Sequence, residues 1–340
     1  MHESTFPVIE RLSYVEMYVS NIFYSKIFFI NMLNFRHVST TKESNCIICV
    51  MKQGDIVFKL ISPQSYDEQV SVHLARYGDS VKSLGLIVDS VEYAHESAVK
   101  HGAISVQPPQ DVDTGKTAVV SLFNGVEHVY ISKKQVGYTI PTTEEPATST
   151  QKNINLQTID HIASCHPPHS IEHWADYYKN AFGFSENKNE NIYSAESGMN
   201  IIIMQSPNSL INFPLVEPSS EKSPLHVYLK HNQGAGIHHI AFKTDNIIQA
   251  VNWYESHHGE LRKANDNYYK KMAQLHPDLQ TVLQHLSPYG IMLEKDDQGV
   301  LYQIFTKPIG TRSTFFLEFV QRDKCQGFGT ANIKSLYESL

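Results

Sequence analysis

The two halves of the chain repeat the same succession of sequence patterns. In the first half an alternating strand at residues 12–19 leads into a helical stretch, and residues 159–165 and 173–182 form the matching pair in the second half. A second unit also recurs, because residues 83–91 and 239–247 each have the pattern of an apolar strand followed by an Asp that can cap the next helix. Each half therefore contains two modules, in which a strand and a helix precede further short strands.

Modules of this kind predict the fold class. A strand, a helix and three strands form a βαβββ unit, and paired units usually curl their sheets around a cavity. We therefore expect an α+β fold in which repeated βαβββ modules form two open β-barrels with external helices. Thr, Ser, Glu and Pro dominate residues 137–157, which is typical of a linker. The predicted domains are an N-terminal barrel at 1–140 and a C-terminal barrel at 158–340, joined by a linker at 141–157.

Composition and charge argue against several classes of protein. The chain has 340 residues, of which 41% are hydrophobic, so it can bury a core. Its net charge of −7 argues against a nucleic-acid partner, because such proteins usually carry a basic face. The longest apolar stretch, at 22–33, contains Lys26 and is shorter than the about 20 residues of a membrane span. The N-terminus has no secretory signal pattern, and we expect a cytoplasmic protein that contacts neither nucleic acid nor membrane.

Cysteine and histidine are the residue types most often found at metal sites. Cys46 and Cys49 form a C-x-x-C pair, but the β-branched run around them predicts a strand, on which residues three apart point to opposite faces. We therefore interpret both as structural. The 18 histidines are a surplus that favours a metal site without locating it. Most of them, such as His166 and His257, are expected at the surface because polar residues or proline flank them.

Comparison of equivalent positions in the two halves singles out three residues. The first half has Tyr14, Ser83 and Val129 where the second half has His161, His239 and Glu318. Two histidines and one carboxylate are the ligand set of the facial triad, which leaves coordination positions open on non-haem Fe(II). The spacings are nearly equal, 239 − 161 = 78 and 318 − 239 = 79 residues, as pseudo-symmetric modules around one cavity would give. Strand alternation also permits the alternative that the histidines are core or surface residues and Glu318 faces solvent.

Five blocks of the second half carry a family resemblance. They occur in family order at residues 159–161, 234–242, 296–308, 314–322 and 326–337. Together they resemble the 4-hydroxyphenylpyruvate dioxygenase family, which also includes 4-hydroxymandelate synthase. The first half matches more weakly, through residues 14–19, and that segment and the overall length look like the mandelate-forming branch.

The resemblance implies a vicinal-oxygen-chelate fold with a non-metal N-terminal barrel. It implies that the C-terminal barrel holds Fe(II) on the two histidines and the glutamate, and that the protein is an enzyme, a non-haem iron dioxygenase. The implied reaction is oxidative decarboxylation of an arylpyruvate-type α-keto acid with O₂. Substrate-binding residues carried over from the family are Gln303, Phe305, Phe316 and Phe328. The family is commonly oligomeric, which implies a homo-oligomer.

Three further positions depart from the family pattern, and all concern substrate rather than metal. Val216 stands where ring-hydroxylating members have Asn, Ile201 replaces a serine, and His238 replaces the usual Gln. On a strand His238 should point away from the face that carries His239 unless a bulge intervenes. Loss of neutral hydrogen-bonding groups relaxes the demand for a substrate hydroxyl, so these positions are counted among the substrate-binding residues.

The sequence leaves several functions open. Because Val216 is aliphatic as in the mandelate-forming branch, the favoured product from 4-hydroxyphenylpyruvate is 4-hydroxymandelate. The alternatives within the class are homogentisate formation in tyrosine catabolism and the same chemistry on a different α-keto acid. A different class is a non-catalytic small-molecule binding protein on the same fold, although such a protein has no need of the two histidines and the glutamate. These ligand types also do not exclude Mn(II) as the native metal.

Overall fold

The structure is a computed structural model that describes residues 5–64, 68–113, 115–133, 154–193, 198–312, 314–329 and 332. The first module of the first half comprises β1 (Ile9–Tyr18), α1 (Ile22–Asn31), β2 (Arg36–Lys42), β3 (Cys46–Gln53) and β4 (Ile56–Pro63). After α2 (Glu68–Tyr77), the second module comprises β5 (Ser80–Val88), α3 (Val91–Lys100), β6 (Ile104–Val112), β7 (Gly115–Ser121) and β8 (Glu127–Ser132). Both modules therefore follow the predicted order of a strand, a helix and three strands.

The second half repeats this order with one insertion. Its first module comprises β9 (Leu156–Cys165), α4 (Ile171–Phe182), β10 (Ser185–Tyr193), β11 (Gly198–Gln205) and β12 (Asn212–Pro218). After α5 (Leu225–His231), the second module continues with β13 (Gly236–Thr244), α6 (Ile247–Ser256), β14 (Leu261–Arg262), α7 (Asp266–Leu275), α8 (Gln280–Leu286), β15 (Met292–Lys295), β16 (Val300–Thr306) and β17 (Phe316–Asp323). The two extra helices and β15 lie between β14 and β16, and the repeat comparison did not anticipate them.

Each half forms one mixed sheet that curves as an open half-barrel. The strand order is β2-β3-β4-β1-β5-β8-β7-β6 in the first sheet and β10-β11-β12-β9-β13-β17-β16-β14 in the second, with β15 added beside β16. In both sheets the first strands of the two modules pair at the centre, as β1 with β5 and β9 with β13. The predicted α+β architecture of two open barrels with external helices is confirmed.

Alternation along the central strands separates a helix-covered face from an inner face. On β1, Val15 and Met17 are buried in a core with Phe29 of α1, whereas Tyr14 belongs to a separate cluster on the other face. The core is continuous between the halves, since the rings of Phe58 and Phe242 lie 6.1 Å apart. The inner faces are therefore the surfaces left to line cavities.

The strand register confirms the equivalences drawn between the halves. Ala241 of β13 pairs with His161 on one side and with Glu318 on the other. The same arrangement in the first half pairs Gly85 with Tyr14 and with Val129. Three neighbouring strands thus carry the equivalent positions side by side in each barrel.

The end of α4 gives a test of local stability. Gly183 has a φ of 66°, and its N–H donates to the carbonyl groups of Lys179 and Tyr178. A Cβ atom here would lie 2.7 Å from Cδ2 of Phe6. We expect Gly183→Ala to lower the free energy of unfolding by about 1–2 kcal/mol, the cost of a left-handed residue with a side chain. Urea denaturation measures this, and an unchanged midpoint would contradict it.

The structure bears on predictions for single residues and segments of the chain. Cys46 and Cys49 lie on β3 as free cysteines, so the predicted strand is confirmed. The surface placement of His166 is wrong, because the side chain is fully buried against Trp174 and Phe123. Among the described residues, no helix is long and apolar enough to cross a membrane. Most of the predicted linker at 141–157 and the end of the block at 326–337 lie outside the described residues, and the domain boundaries stay a prediction.

Candidate metal centre and active site

Three residues from separate strands converge on the inner face of the second barrel. The Nε2 atoms of His161 and His239 lie 3.3 Å apart. Glu318 Oε2 lies 3.2 Å from the first of these nitrogens and 3.5 Å from the second. The glutamate is 2% exposed, so the alternative in which it faces solvent is wrong. Strand alternation explains the placement, because the neighbouring Ile240 and Leu317 belong to the helix-covered core.

The donor set of this group fits a divalent metal ion. The two imidazole nitrogens and the carboxylate all lie within 4.8 Å of one another. Glu318 Oε1 is buried and has no hydrogen-bond partner among the described residues, which is costly for a carboxylate unless a cation compensates it. Burial raises the pKa of Glu318 even though His161 lowers it. A cation between the three residues would remove this cost.

The two histidines differ in their electrostatic surroundings. Burial alone would lower the pKa of His161, but the carboxylates of Glu318 and Asp160 raise it to about 9. Burial lowers the pKa of His239 well below its usual value, and His238 and His161 lower it further. A metal ligand must be a neutral imidazole, so binding of a metal here would release the proton held at His161.

Asp160 and Arg322 fix the orientation of the first histidine. Nδ1 of His161 donates to Asp160 Oδ1 at 2.8 Å, which leaves Nε2 facing the other two residues of the group. Arg322 binds the same carboxylate with two nitrogens, Nε at 2.7 Å and Nη2 at 2.8 Å. This arginine holds the pKa of Asp160 well below its usual range despite burial. Such partners set the ring orientation of metal-binding histidines, and the sequence reasoning missed both residues.

His238 lies beside His239 and not on the opposite face. The pairing of β13 with β9 shifts register between Ile237 and His239, and this bulge brings His238 Nδ1 to 3.2 Å from His239 Nδ1. The prediction that His238 points away from the face of His239 is therefore wrong, because the strand contains the bulge that was named as the exception. The ring of His238 also contacts Phe316 at 4.7 Å and Tyr228 at 4.9 Å.

Three phenylalanines predicted for the substrate pocket surround the group. The ring of Phe316 stacks on His239 with centroids 4.8 Å apart, and Phe305 lies 6.4 Å from the same imidazole. Phe328 contacts His161 edge to face at 5.7 Å. All three are buried. They form apolar walls on both sides of the group, as an aromatic substrate would require.

Val216 and Ile201 form another apolar wall of the same barrel. They are directly paired across β11 and β12. Both belong to a buried cluster with Phe328 and Cys165. The structure therefore places these two departures from the family pattern next to an aromatic residue that contacts the metal group.

Gln303 takes a different position from the other predicted pocket residues. It is fully buried on β16, and its Oε1 lies 3.0 Å from the Asn332 side chain, while its Nε2 has no partner among the described residues. Within the described part of the chain, no hydrogen bond joins it to His161, His239 or Glu318. Gly329 packs directly against it and leaves no room for a side chain there. A substrate-binding role for Gln303 stays a prediction.

Asp296 ties the loop that carries Phe328 to the body of the barrel. Its Oδ1 accepts from the backbone N–H groups of Gln298 and Gly299, and its Oδ2 accepts from those of Gln326 and Gly327. Arg322 Nη1 donates to the carbonyl group of Gly327 in the same loop. Two sequence blocks that were recognised separately, 296–308 and 326–337, are thus joined by one carboxylate.

Comparisons with known proteins agree with this fold. The family model of the glyoxalase/bleomycin resistance protein/dioxygenase superfamily matches residues 160–271. The 4-hydroxyphenylpyruvate dioxygenase of Dictyostelium discoideum is 26% identical over 98% of this chain and 97% of its own length. The enzyme of the same name from Aspergillus fumigatus is 29% identical over 96% of this chain and 91% of its own length.

Solved structures show the same architecture. A triple mutant of 4-hydroxymandelate synthase from Streptomyces coelicolor superposes with a TM-score of 0.85 at 24% identity, covering 98% of both chains. A Mn(II)-bound glyoxalase from Novosphingobium aromaticivorans superposes with a TM-score of 0.56 at 11% identity, covering 93% of this chain and 83% of that one. These likenesses confirm the predicted vicinal-oxygen-chelate fold.

Proposed function

We propose that the chain is a member of the family of the 4-hydroxyphenylpyruvate dioxygenases and 4-hydroxymandelate synthase, to which it is similar over its whole length. In this proposal it is an Fe(II)-dependent dioxygenase that oxidatively decarboxylates an arylpyruvate-type α-keto acid. The observation that carries the proposal is the buried group of His161, His239 and Glu318 with its uncompensated carboxylate oxygen. Two imidazoles and one carboxylate are the donor set of non-haem Fe(II) oxygenases. The proposed partners are therefore an α-keto acid and O₂.

The residues around the group have separate tasks in this proposal. When bound, Fe(II) supplies the activation of O₂ and the coordination positions for the keto acid. Asp160 keeps the Nδ1 proton of His161 and so presents its Nε2 to the metal. Phe316 and Phe328 exclude water and align the aromatic ring of the substrate with the site.

The apolar wall formed by Val216 and Ile201 bears on which product is formed. Val216 and Ile201 offer no hydrogen bond to a substrate hydroxyl, which favours benzylic hydroxylation and 4-hydroxymandelate as the product. The second candidate is homogentisate formation, which the names of the curated relatives favour. A third is the same chemistry on a different α-keto acid.

The product prediction is tested by aerobic turnover of 4-hydroxyphenylpyruvate. We expect 4-hydroxymandelate, and we expect Val216→Asn to shift the ratio of homogentisate to 4-hydroxymandelate about tenfold or more, since one buried polar group changes discrimination by at least that factor. Chromatography must separate the products, because they are isomers. Val216→Ile is the matched control and should keep the native ratio. Exclusive homogentisate from the native chain would contradict the role given to Val216.

A non-catalytic binding protein and a Mn(II) enzyme are the remaining alternatives. Turnover of any member of a panel of aryl and aliphatic α-keto acids would exclude a non-catalytic binding protein. To test for a Mn(II) enzyme, the chain is reconstituted under argon with Fe(II) or with Mn(II), and O₂ is then added. We expect turnover with iron. A cytoplasmic location and a homo-oligomeric state are part of the proposal and rest on the resemblance to the family.

A further inference from the structure

A cavity of about 700 Å³ lies against the inner face of the first barrel, and residues 158–162 and 210–213 of the second half also line it. Tyr14 and Val129, which line it, are the equivalents of His161 and Glu318 in the second barrel. The third equivalent position is Ser83. The metal group of the second barrel is the one candidate metal cluster found among the described residues. This cavity therefore occupies the position of a metal-centred pocket but offers different chemistry.

Lys59 places a cation on the wall of this cavity. Its Nζ lies 3.6 Å from the centre of the Tyr14 ring, a distance at which the ring attracts and positions the ammonium group. Tyr14 is itself held in place, because a Cβ atom on Gly85 would lie 2.5 Å from Cε1 of the ring. Burial lowers the pKa of Lys59, while the Glu16 carboxylate acts in the opposite direction. The cation is thus part of a packed arrangement of side chains and not a mobile surface group.

The remaining lining combines charged groups of both signs with apolar walls. Arg11 and Lys52 also face the cavity, and its acidic residues are Asp55 and Asp160, of which Asp160 is already bound by Arg322. Glu16 lies in register with Lys59 on the neighbouring strand and offsets part of the charge of that lysine. Apolar walls come from both halves: Leu12, Val50, Val57, Ile87, Ile131, Ile159 and Phe213. Pockets that bind small molecules have this volume and this pattern of apolar surface with a few placed polar groups.

We propose that the first barrel is a second binding site, which takes a small monocarboxylate with an apolar body and pairs its carboxylate with Lys59. The cavity adjoins the metal group through Asp160 and His161, but His239 and Glu318 do not line it. The inference does not depend on the proposed function. It gives the inner face of the first barrel, together with the residues of the second half that line the cavity, a role in binding an organic acid without a metal.

Calorimetric titration of the full chain with 4-phenylbutyrate tests the proposal, with neutral 4-phenylbutan-1-ol as the matched probe. We expect the acid to bind at least tenfold more tightly than the alcohol, since a hydrogen bond to a charged group contributes that much. Lys59→Met should weaken the acid at least tenfold, and Val129→Trp, which fills the cavity, should abolish binding. Lys230→Met changes an exposed lysine and should have no effect.

A variant of the metal group separates the two sites. His239→Ala should keep the native affinity for 4-phenylbutyrate. Circular dichroism shows whether Lys59→Met and Val129→Trp fold. If one of them does not, the affinity of the other for 4-phenylbutyrate tests whether the acid binds in the cavity. The proposal is overturned by absence of binding at millimolar acid, by equal affinities for acid and alcohol, or by binding that is lost in His239→Ala and native in the folded cavity variant.

Discussion

Glu318→Gln should abolish metal binding and turnover while leaving the protein folded. The glutamine keeps the shape of the side chain but removes the charge that a divalent ion requires. We expect the affinity for Fe(II) to fall by more than about 100-fold, which exceeds the loss seen when a residue outside the ligand set is removed. The variant should fold but lose stability in the absence of metal, because Glu318 Oε2 lies 3.2 Å from Nε2 of His161 and helps to raise the pKa of that histidine. Metal analysis, turnover and urea denaturation measure the three effects.

Glu217→Gln is the matched control for this variant. Glu217 is another buried carboxylate of the same barrel, but its Oε2 accepts from the backbone N–H groups of Ser170 and Ile171 at the start of α4. Its Oε1 accepts from Asn200. We expect the change to cost about 1–2 kcal/mol of stability and to leave metal affinity unchanged. Full activity of Glu318→Gln would refute the assignment of the glutamate as a ligand.

Asp160→Asn should weaken metal binding and destabilise the fold together. The carboxylate receives the Nδ1 proton of His161 and two nitrogens of Arg322. Removing such a partner from a metal-binding histidine costs about 10–100-fold in metal affinity. Breaking a buried ion pair costs about 3–5 kcal/mol, and the two side chains here are only 7% and 15% exposed. Titration with Fe(II) under argon and urea denaturation test the two effects separately.

The control for Asp160→Asn is Asp278→Asn, which removes an exposed carboxylate paired with Lys295. Neither metal affinity nor stability should change appreciably, because exposed ion pairs contribute little. Native metal affinity in folded Asp160→Asn would show that the orientation of His161 does not depend on Asp160.

The internal repeat explains why the fold and the metal group were predictable. Alternation on each strand places every second residue on the inner face, and the repeat aligns equivalent strands, so Tyr14 and His161 had to occupy equivalent places. In the same way, the repeat predicts that His239 and Glu318 lie on neighbouring strands. Long-range pairing could thus be inferred because the chain carries two copies of each pattern.

Features without a copy in the other half were not predictable in this way. The bulge before His239 is a local change of register, and alternation alone therefore gave the wrong face for His238. The pairing of Asp160 with Arg322 joins residues that are 162 positions apart. The helices of the fourth module, α7 and α8, have no counterpart in the other modules. Each of these depends on a single tertiary contact or insertion and leaves no periodic signal.

The central claim is that His161, His239 and Glu318 together bind Fe(II) and that the metal then binds an α-keto acid. Anaerobic titration of the iron-loaded chain with 4-hydroxyphenylpyruvate, followed by visible absorption, tests it most directly. We predict a keto-acid charge-transfer band that saturates at one substrate per chain and is absent in Glu318→Gln. A chain that shows no such band when loaded with iron, or an equal band in Glu318→Gln, would contradict the account.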